Sequence, residues 1–172
     1  PAARIEMEAR AHAARLGLPV GRIGIRAERG NPRMAGFTKD EQYTLMSLWC
    51  IFRSPLMFGG NLPDNDAFTL SLLTNKRVLE VLNKSSNNRP LFNDENKAAW
   101  AADGSDKKTK FLAVFNKGKQ AEKVEVELQQ LGITGKFQLI DLWSGKTRTE
   151  SSTSFAPTIN SHGAGLYKII QK

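Results

Sequence analysis

The sequence predicts an α+β chain in two parts. A segment of (β/α) type occupies residues 18–88 and an all-β antiparallel sandwich occupies residues 89–172. Three observations predict this. A capped helix is followed by a short apolar run, a glycine pair and further helix, which is the order of a (β/α) unit. A polar stretch, "NKSSNNRPLFNDENK", then breaks the pattern and places a boundary near residues 84–92. Beyond it the hydrophobic period changes from 3.6 to 2.

The first 17 residues stand apart. They are rich in alanine and predict a helix ending near Gly17, a suitable C-cap. Residues 1–33 hold seven Arg and no Lys, whereas fourteen Lys and four Arg follow. Ile23 and Ile25 alternate in a short extended piece before a Gly/Asn/Pro break. "FTKDEQYTLMSLWCIF" has the strongest helix start in the chain. Thr38 at the N-cap and Glu41 at N3 form a capping box, and Asp40 and Glu41 suit the positive end of the helix dipole. Leu45, Leu48, Trp49 and Phe52 follow i, i+3, i+4, i+7 and predict the buried face.

Pro55 ends that helix. "PLMFGG" is a continuous apolar run of the kind found in strands buried on both faces. Two short helices follow, capped by Asp66 and Thr74, with Leu70, Leu73, Val78, Leu79 and Leu82 inward. In the second half "KAAWAAD", "KFLAVFN", "KVEVELQQLGI", "KFQLIDLW" and "AGLYKIIQK" read as strands separated by turns. In "KVEVEL" Val124, Val126 and Leu128 face one way, and Glu125 and Glu127 the other.

Composition narrows the functions available. No apolar run reaches the ~20 residues of a membrane helix, so no membrane role is expected. The net charge is +8, but it divides evenly between the halves and acidic residues interleave throughout. Without a basic stripe, a nucleic-acid partner is not expected. Cys50 is the single cysteine and falls in an apolar helical pattern, as a buried core thiol does. His12 and His162 are far apart and neither sits in a ligand-spaced cluster, so no metal site and no cofactor are expected.

A hydrolase needs paired carboxylates or a nucleophile beside a base. The acids of residues 89–172 fall in turns or on outward strand positions, with Asp141 in "IDLWSG" as the exception to weigh. Asp64 and Asp66 read as loop and cap residues, and His162 in "SHGAG" as a turn histidine. "GKTRT" and "GITGK" lack the phosphate-loop spacing. Trp49, Trp100 and Trp143 read as core anchors in preference to sugar platforms. The residues by themselves show a mixed scaffold and no active site.

Taken together, "FTKDEQYTLMSLWCIFRSPLMFGGNL" and "FTLSLLTNKRVLEVLN" resemble the last part of the catalytic barrel of α-galactosidases, which share a clan with α-N-acetylgalactosaminidases. "FLAVFN", "LGITG", "DLWSGK" and "SHGAGLYKI" are similar to the β-sandwich that follows that barrel. "LPVGRIGIRAERGNPRM" looks most like versions from Bacteroidetes-type polysaccharide degraders.

The resemblance implies that residues 18–88 are the last two β/α units of a (β/α)8 barrel. Pro55–Gly60 would be the eighth strand, with Gly59, Gly60 and Asn61 at the substrate rim. It implies no catalytic residue here, because both family aspartates lie N-terminal to this chain. Two departures stand out: a Trp-Pro-Asp-like segment is missing before "LPVGRIGIR", and Asn61 stands where the rim commonly has Asp. Residues 1–17 match nothing in the family.

The first expectation is therefore a C-terminal portion, silent alone, of an enzyme that hydrolyses terminal α-linked galactose with retention. The chain starts at Pro1, which reads as part of something longer or a processed form. Two barrel strands cannot close a barrel. Residues 1–83 should then pack as helices on the sandwich, form a homo-oligomer, or meet a chain carrying the missing barrel half. The rivals are a carbohydrate-binding sandwich using Trp100 or Trp143, and a subunit whose partner supplies the aspartates. Localisation is not legible here, although the family is usually secreted or periplasmic.

Overall fold

A computed structural model describes residues 36–57, 63 and 65–172. The helix expected over residues 1–17 and the extended piece at Ile23–Ile25 lie outside the described residues. Three helices come first: α1 (Lys39–Ile51), α2 (Ala67–Leu73) and α3 (Lys76–Lys84). The capping box of α1 forms as expected. Thr38 Oγ1 accepts from the Glu41 amide at 3.2 Å, and the Thr38 amide donates to Glu41 Oε2 at 2.8 Å. Asp66 caps α2, its Oδ1 accepting from the Thr69 amide at 2.7 Å. The cap of α3 is Asn75, not Thr74; Asn75 Oδ1 accepts from Arg77 N at 3.1 Å. Thr74 closes α2 instead, donating to Leu70 O at 2.7 Å.

Ten strands follow: β1 (Ser86–Asn93), β2 (Lys97–Asp103), β3 (Thr109–Asn116), β4 (Glu122–Lys123), β5 (Val126–Glu127), β6 (Lys136–Asp141), β7 (Thr147–Ser151), β8 (Ser154–Phe155), β9 (Thr158–Ile159) and β10 (Ala164–Gln171). Six of them make one antiparallel sheet in the order β1-β2-β3-β10-β6-β7. After β3 the chain leaves this sheet and builds a second, smaller layer. There β4 pairs with β9 and β5 with β8, beside a 3-10 turn at Leu128–Leu131. β10 returns last and slides between β3 and β6.

The large sheet is covered on both faces, and two apolar cores result. Ala98, Trp100, Ala102, Phe111, Ala113, Phe115 and Leu166 face the helices. Ala99, Ala101, Leu112, Val114, Tyr167 and Ile169 face the small layer. Antiparallel sheets commonly leave one face in water and alternate apolar with polar residues. Here "AAWAA" and "FLAVF" are apolar without interruption because neither face is wet. The two edges are treated differently. β7 is polar and largely exposed, and β1 carries Pro90 and two register shifts, features typical of an edge strand.

Four expectations change. The polar stretch expected to mark the boundary is itself the edge strand β1, beginning directly after α3. "KVEVELQQLGI" is not one strand but β4, β5 and a 3-10 turn. Its inward Val124, Val126 and Leu128 are buried as expected. Of the face assigned to α1, only Leu48 is fully buried; Leu45, Trp49 and Phe52 are half-buried. The face turned to the sheet runs through Thr44, Ser47, Leu48 and Ile51. Two polar residues occupy it because the sandwich satisfies them: Thr44 Oγ1 donates to His162 O at 2.7 Å, and Ser47 Oγ accepts from Trp143 Nε1 at 3.0 Å. In the α2–α3 hairpin Val78 is buried as expected, but Leu72 and Val81 are buried too while Leu70 is 41% exposed.

Candidate functional site

α1 ends through Arg53, a non-glycine residue in the left-handed region at φ 54°. Such a residue costs roughly 1–2 kcal/mol. Its side chain recovers a contact, Nε donating to Leu82 O at 3.2 Å. Trp49 Nε1 then donates to Pro55 O at 2.9 Å, which fixes the direction in which the chain departs. Pro55–Met57 are not in a strand, and Met57 is 66% exposed. Gly59, Gly60 and Asn61, the expected substrate rim, lie outside the described residues, as does Asp64.

The remaining chemical candidates resolve into structural roles. Cys50 is fully buried, and desolvation pushes its thiol up to about 12, so it is protonated and inert at neutral pH. Asp66 is an exposed helix cap, its carboxyl lowered by its hydrogen bonds to Thr69. Asp141 accepts from the amides of Trp143 at 2.9 Å and Ser144 at 3.2 Å, which makes it the carboxylate of the turn after β6. His162 sits in a turn at φ 54°, and its carbonyl receives Thr44 while its buried Nδ1 has no hydrogen-bond partner among the described residues. Among the described residues no group of three metal-binding side chains occurs. No described helix is long and apolar enough to cross a membrane.

Trp100 is 6% exposed and packs on Phe52 at 4.3 Å between ring centroids, which removes it as a sugar platform. Trp143 is half-buried, tied to Ser47 and edge-on to Tyr43 at 4.8 Å. Both belong to the joint between helices and sheet. Other polar ties cross the same joint. Lys168 Nζ meets Glu80 Oε1 at 2.8 Å, and Asn75 Nδ2 and Arg77 Nε both donate to Leu142 O, at 3.2 and 3.1 Å.

Two surface clefts are formed by described residues. One, of about 640 Å3, lies between the start of β1, the β2–β3 ends and the 3-10 turn. Asp103 is at its centre. Lys110 Nζ at 2.8 Å and Asn87 Nδ2 at 2.9 Å donate to it, Arg89 lies 3.9 Å away, and these partners hold its carboxyl below the usual range. Asn87 reaches it from a left-handed backbone at φ 51°, beside a register shift in β1. No residue of this cleft was singled out from the sequence, because its partners come from three separate strands. The second cleft, about 480 Å3, lies between α1, the α2–α3 hairpin and the turn after β6.

The described residues form a two-faced sheet with helices on one side and hold no catalytic constellation. Comparison with known proteins places the sandwich. Residues 94–169 match the family described as the alpha galactosidase C-terminal beta sandwich domain, and they are such a domain. "Probable alpha-galactosidase D" of Aspergillus niger is 30% identical over 142 residues, covering 77% of this chain and 21% of that protein. A crystallised protein of Bacillus halodurans, provisionally assigned as an α-N-acetylgalactosaminidase, is 41% identical. Its TM-score is 0.80, and 90% of this chain and 38% of that one are covered. A β-L-arabinopyranosidase of Geobacillus stearothermophilus is 34% identical with a TM-score of 0.81, covering 96% and 42%. The chain is thus α-galactosidase-like and corresponds to the C-terminal part of such glycoside hydrolases. It spans about a fifth to a third of the length of the curated relatives it matches.

Proposed function

We propose that this chain is the non-catalytic C-terminal part of a retaining glycoside hydrolase that removes terminal α-linked galactose. The observation that carries the reading is the covered sheet. Helices α1–α3, which this reading assigns to the end of a catalytic barrel, are locked onto the sandwich by one continuous apolar core and by hydrogen bonds at Thr44, Ser47, Asn75 and Arg77. The sandwich thereby buttresses helices α1–α3. Leu45 and Trp49 are half-buried and belong to neither core, and Met57 and Leu70 are exposed. These apolar groups are where the rest of a barrel would pack.

In the whole enzyme two aspartates on earlier strands would do the chemistry. One attacks the anomeric carbon; the other protonates the leaving oxygen and then activates water, the pair standing about 5–5.5 Å apart. Asp66 and Asp141 do not supply that pair, since each is committed to backbone amides. The test is hydrolysis of a chromogenic α-galactoside by the purified chain, with a full-length relative alongside. No turnover by the chain and rapid turnover by the relative are expected. Turnover that survives purification and is lost in D64N, D66N or D141N would overturn the reading.

A second substrate reading has its own support. The β-L-arabinopyranosidase relative is 34% identical to this chain and covers 96% of it. L-Arabinopyranose is galactopyranose without its exocyclic hydroxymethyl group. A full-length enzyme assayed on both glycosides separates the two by their kcat/KM ratio.

A further inference from the structure

The cleft between α1, the α2–α3 hairpin and the turn after β6 carries Lys76 and Arg77 and, among the described residues, is lined by no Asp or Glu. This distinguishes it from the Asp103 cleft, where both cations face a carboxylate. Neither Lys76 nor Arg77 makes an ion pair among the described residues. Asn75 already caps the first amides of α3, so the cleft's polarity rests on side chains.

Arg77 is held in a fixed plane. Its Nε donates to Leu142 O at 3.1 Å. Its flat face lies over Gly145, where an added Cβ would stand 3.2 Å from Cζ and 3.3 Å from Nη2. Gly145 is at φ 75°, so the turn requires glycine for its backbone as well as for this contact. Among the described residues the Nη groups donate to nothing. Tyr43 is wedged between Phe68 at 5.4 Å and Trp143 at 4.8 Å, and its hydroxyl bonds to no described residue. Ser71 and Thr74 donate to Phe68 O and Leu70 O, which leaves their oxygens as acceptors.

A guanidinium held by Nε with its outer edge open matches a carboxylate bidentately. An aromatic wall with a few polar groups suits a sugar ring, which has apolar C–H faces and hydroxyl edges. We propose that this cleft binds an acidic sugar, a uronate unit of a polysaccharide. Its carboxylate sits on Arg77 and Lys76, its ring against Tyr43 and Trp143, and its hydroxyls on Ser71 and Thr74. The net charge of +8 raises the local concentration of such a polyanion. The proposal does not depend on which glycoside the whole enzyme cleaves.

The test is calorimetric titration of the 172-residue chain with trigalacturonate, with neutral galactotriose and inorganic sulfate as controls. Saturable binding of trigalacturonate is expected, with galactotriose and sulfate at least about tenfold weaker, because the site reads both charge and ring. R77Q should weaken binding about tenfold or more, and R77K, which keeps charge but loses the fork, by several-fold. K76Q, at an exposed position, should weaken binding several-fold without moving the unfolding midpoint. Absence of saturable binding, equal binding of galactotriose, equal binding of sulfate, or indifference to R77K and K76Q would each overturn the proposal. Should R77Q not fold, the ligand selectivity and the other two variants decide.

Discussion

Replacing Trp143 by Phe tests whether helices and sandwich fold as one body. Trp143 Nε1 donates to Ser47 Oγ at 3.0 Å, and Ser47 is fully buried. In W143F the Ser47 hydroxyl is left in an apolar joint without this donor. The lost hydrogen bond and desolvated hydroxyl cost about 1–3 kcal/mol. The edge contact with Tyr43 at 4.8 Å weakens as well, adding about 0.5–1 kcal/mol. A total of about 1.5–4 kcal/mol is a large part of the 5–15 kcal/mol typical of a domain. S47A alone should cost about 1 kcal/mol, because the half-buried indole N–H can turn to water. The double variant W143F/S47A should recover about 1 kcal/mol relative to the sum, since no unpaired hydroxyl remains. Urea unfolding followed by far-UV circular dichroism and by fluorescence measures each value. The reasoning fails if the coupling energy is zero. It fails equally if the helical signal melts at lower urea than the sheet signal, because the joint would then not couple the two layers.

Three further outcomes follow from named groups. Asp103 has a depressed carboxyl in the fold, so its contribution is present at neutral pH and is lost as pH falls through the folded value. D103N should therefore flatten the acid limb of a stability–pH curve, and an unchanged limb would contradict the Lys110–Asn87 network. Tyr167 is buried and desolvation pushes its hydroxyl from 10.0 to about 12. The unfolded chain releases that proton first, so stability falls as pH rises from about 10 towards 12, and Y167F should lessen this alkaline loss. Asn116 is fully buried. Its Nδ2 donates to Gln120 O, Ile159 O and Asn160 O at 2.7, 3.0 and 3.1 Å, and its Oδ1 accepts from Gly118 N at 2.9 Å. N116A should cost about 3 kcal/mol in chemical denaturation, since one buried and two part-buried carbonyls lose their donor together.

Elements whose information is local were legible in the sequence. The capping box at Thr38 and Glu41 is a contact across three residues, and it forms. "KAAWAAD" became β2 over Lys97–Asp103 because Gly104 and Asp106 bound it with a turn closed by Thr109. The alternation of Val124, Val126 and Leu128 survives even where the ladder breaks, since side-chain direction follows the backbone pleat residue by residue. The sequence also sufficed to place Cys50 in a core and Asp66 at a cap, because each depends on its own neighbourhood.

What depended on distant partners was decided only in three dimensions. Thr44 and Ser47 face inward because His162 and Trp143, about a hundred residues away, satisfy them; a hydrophobic pattern necessarily pointed the helix elsewhere. The polar β1 is a strand because β2 supplies its ladder. β8 and β9 are two-residue strands defined wholly by β5 and β4. The Arg77–Leu142 contact and the Asp103 network likewise exist only where separate elements meet. By itself the sequence determined the class of chain, the starts of α1 and α2, the inward side of Val124, Val126 and Leu128, and its α-galactosidase-like kinship. The tertiary structure decided which faces are dry. Burial of a polar group is favourable only when a partner arrives from elsewhere in the fold, and no local pattern records that arrival.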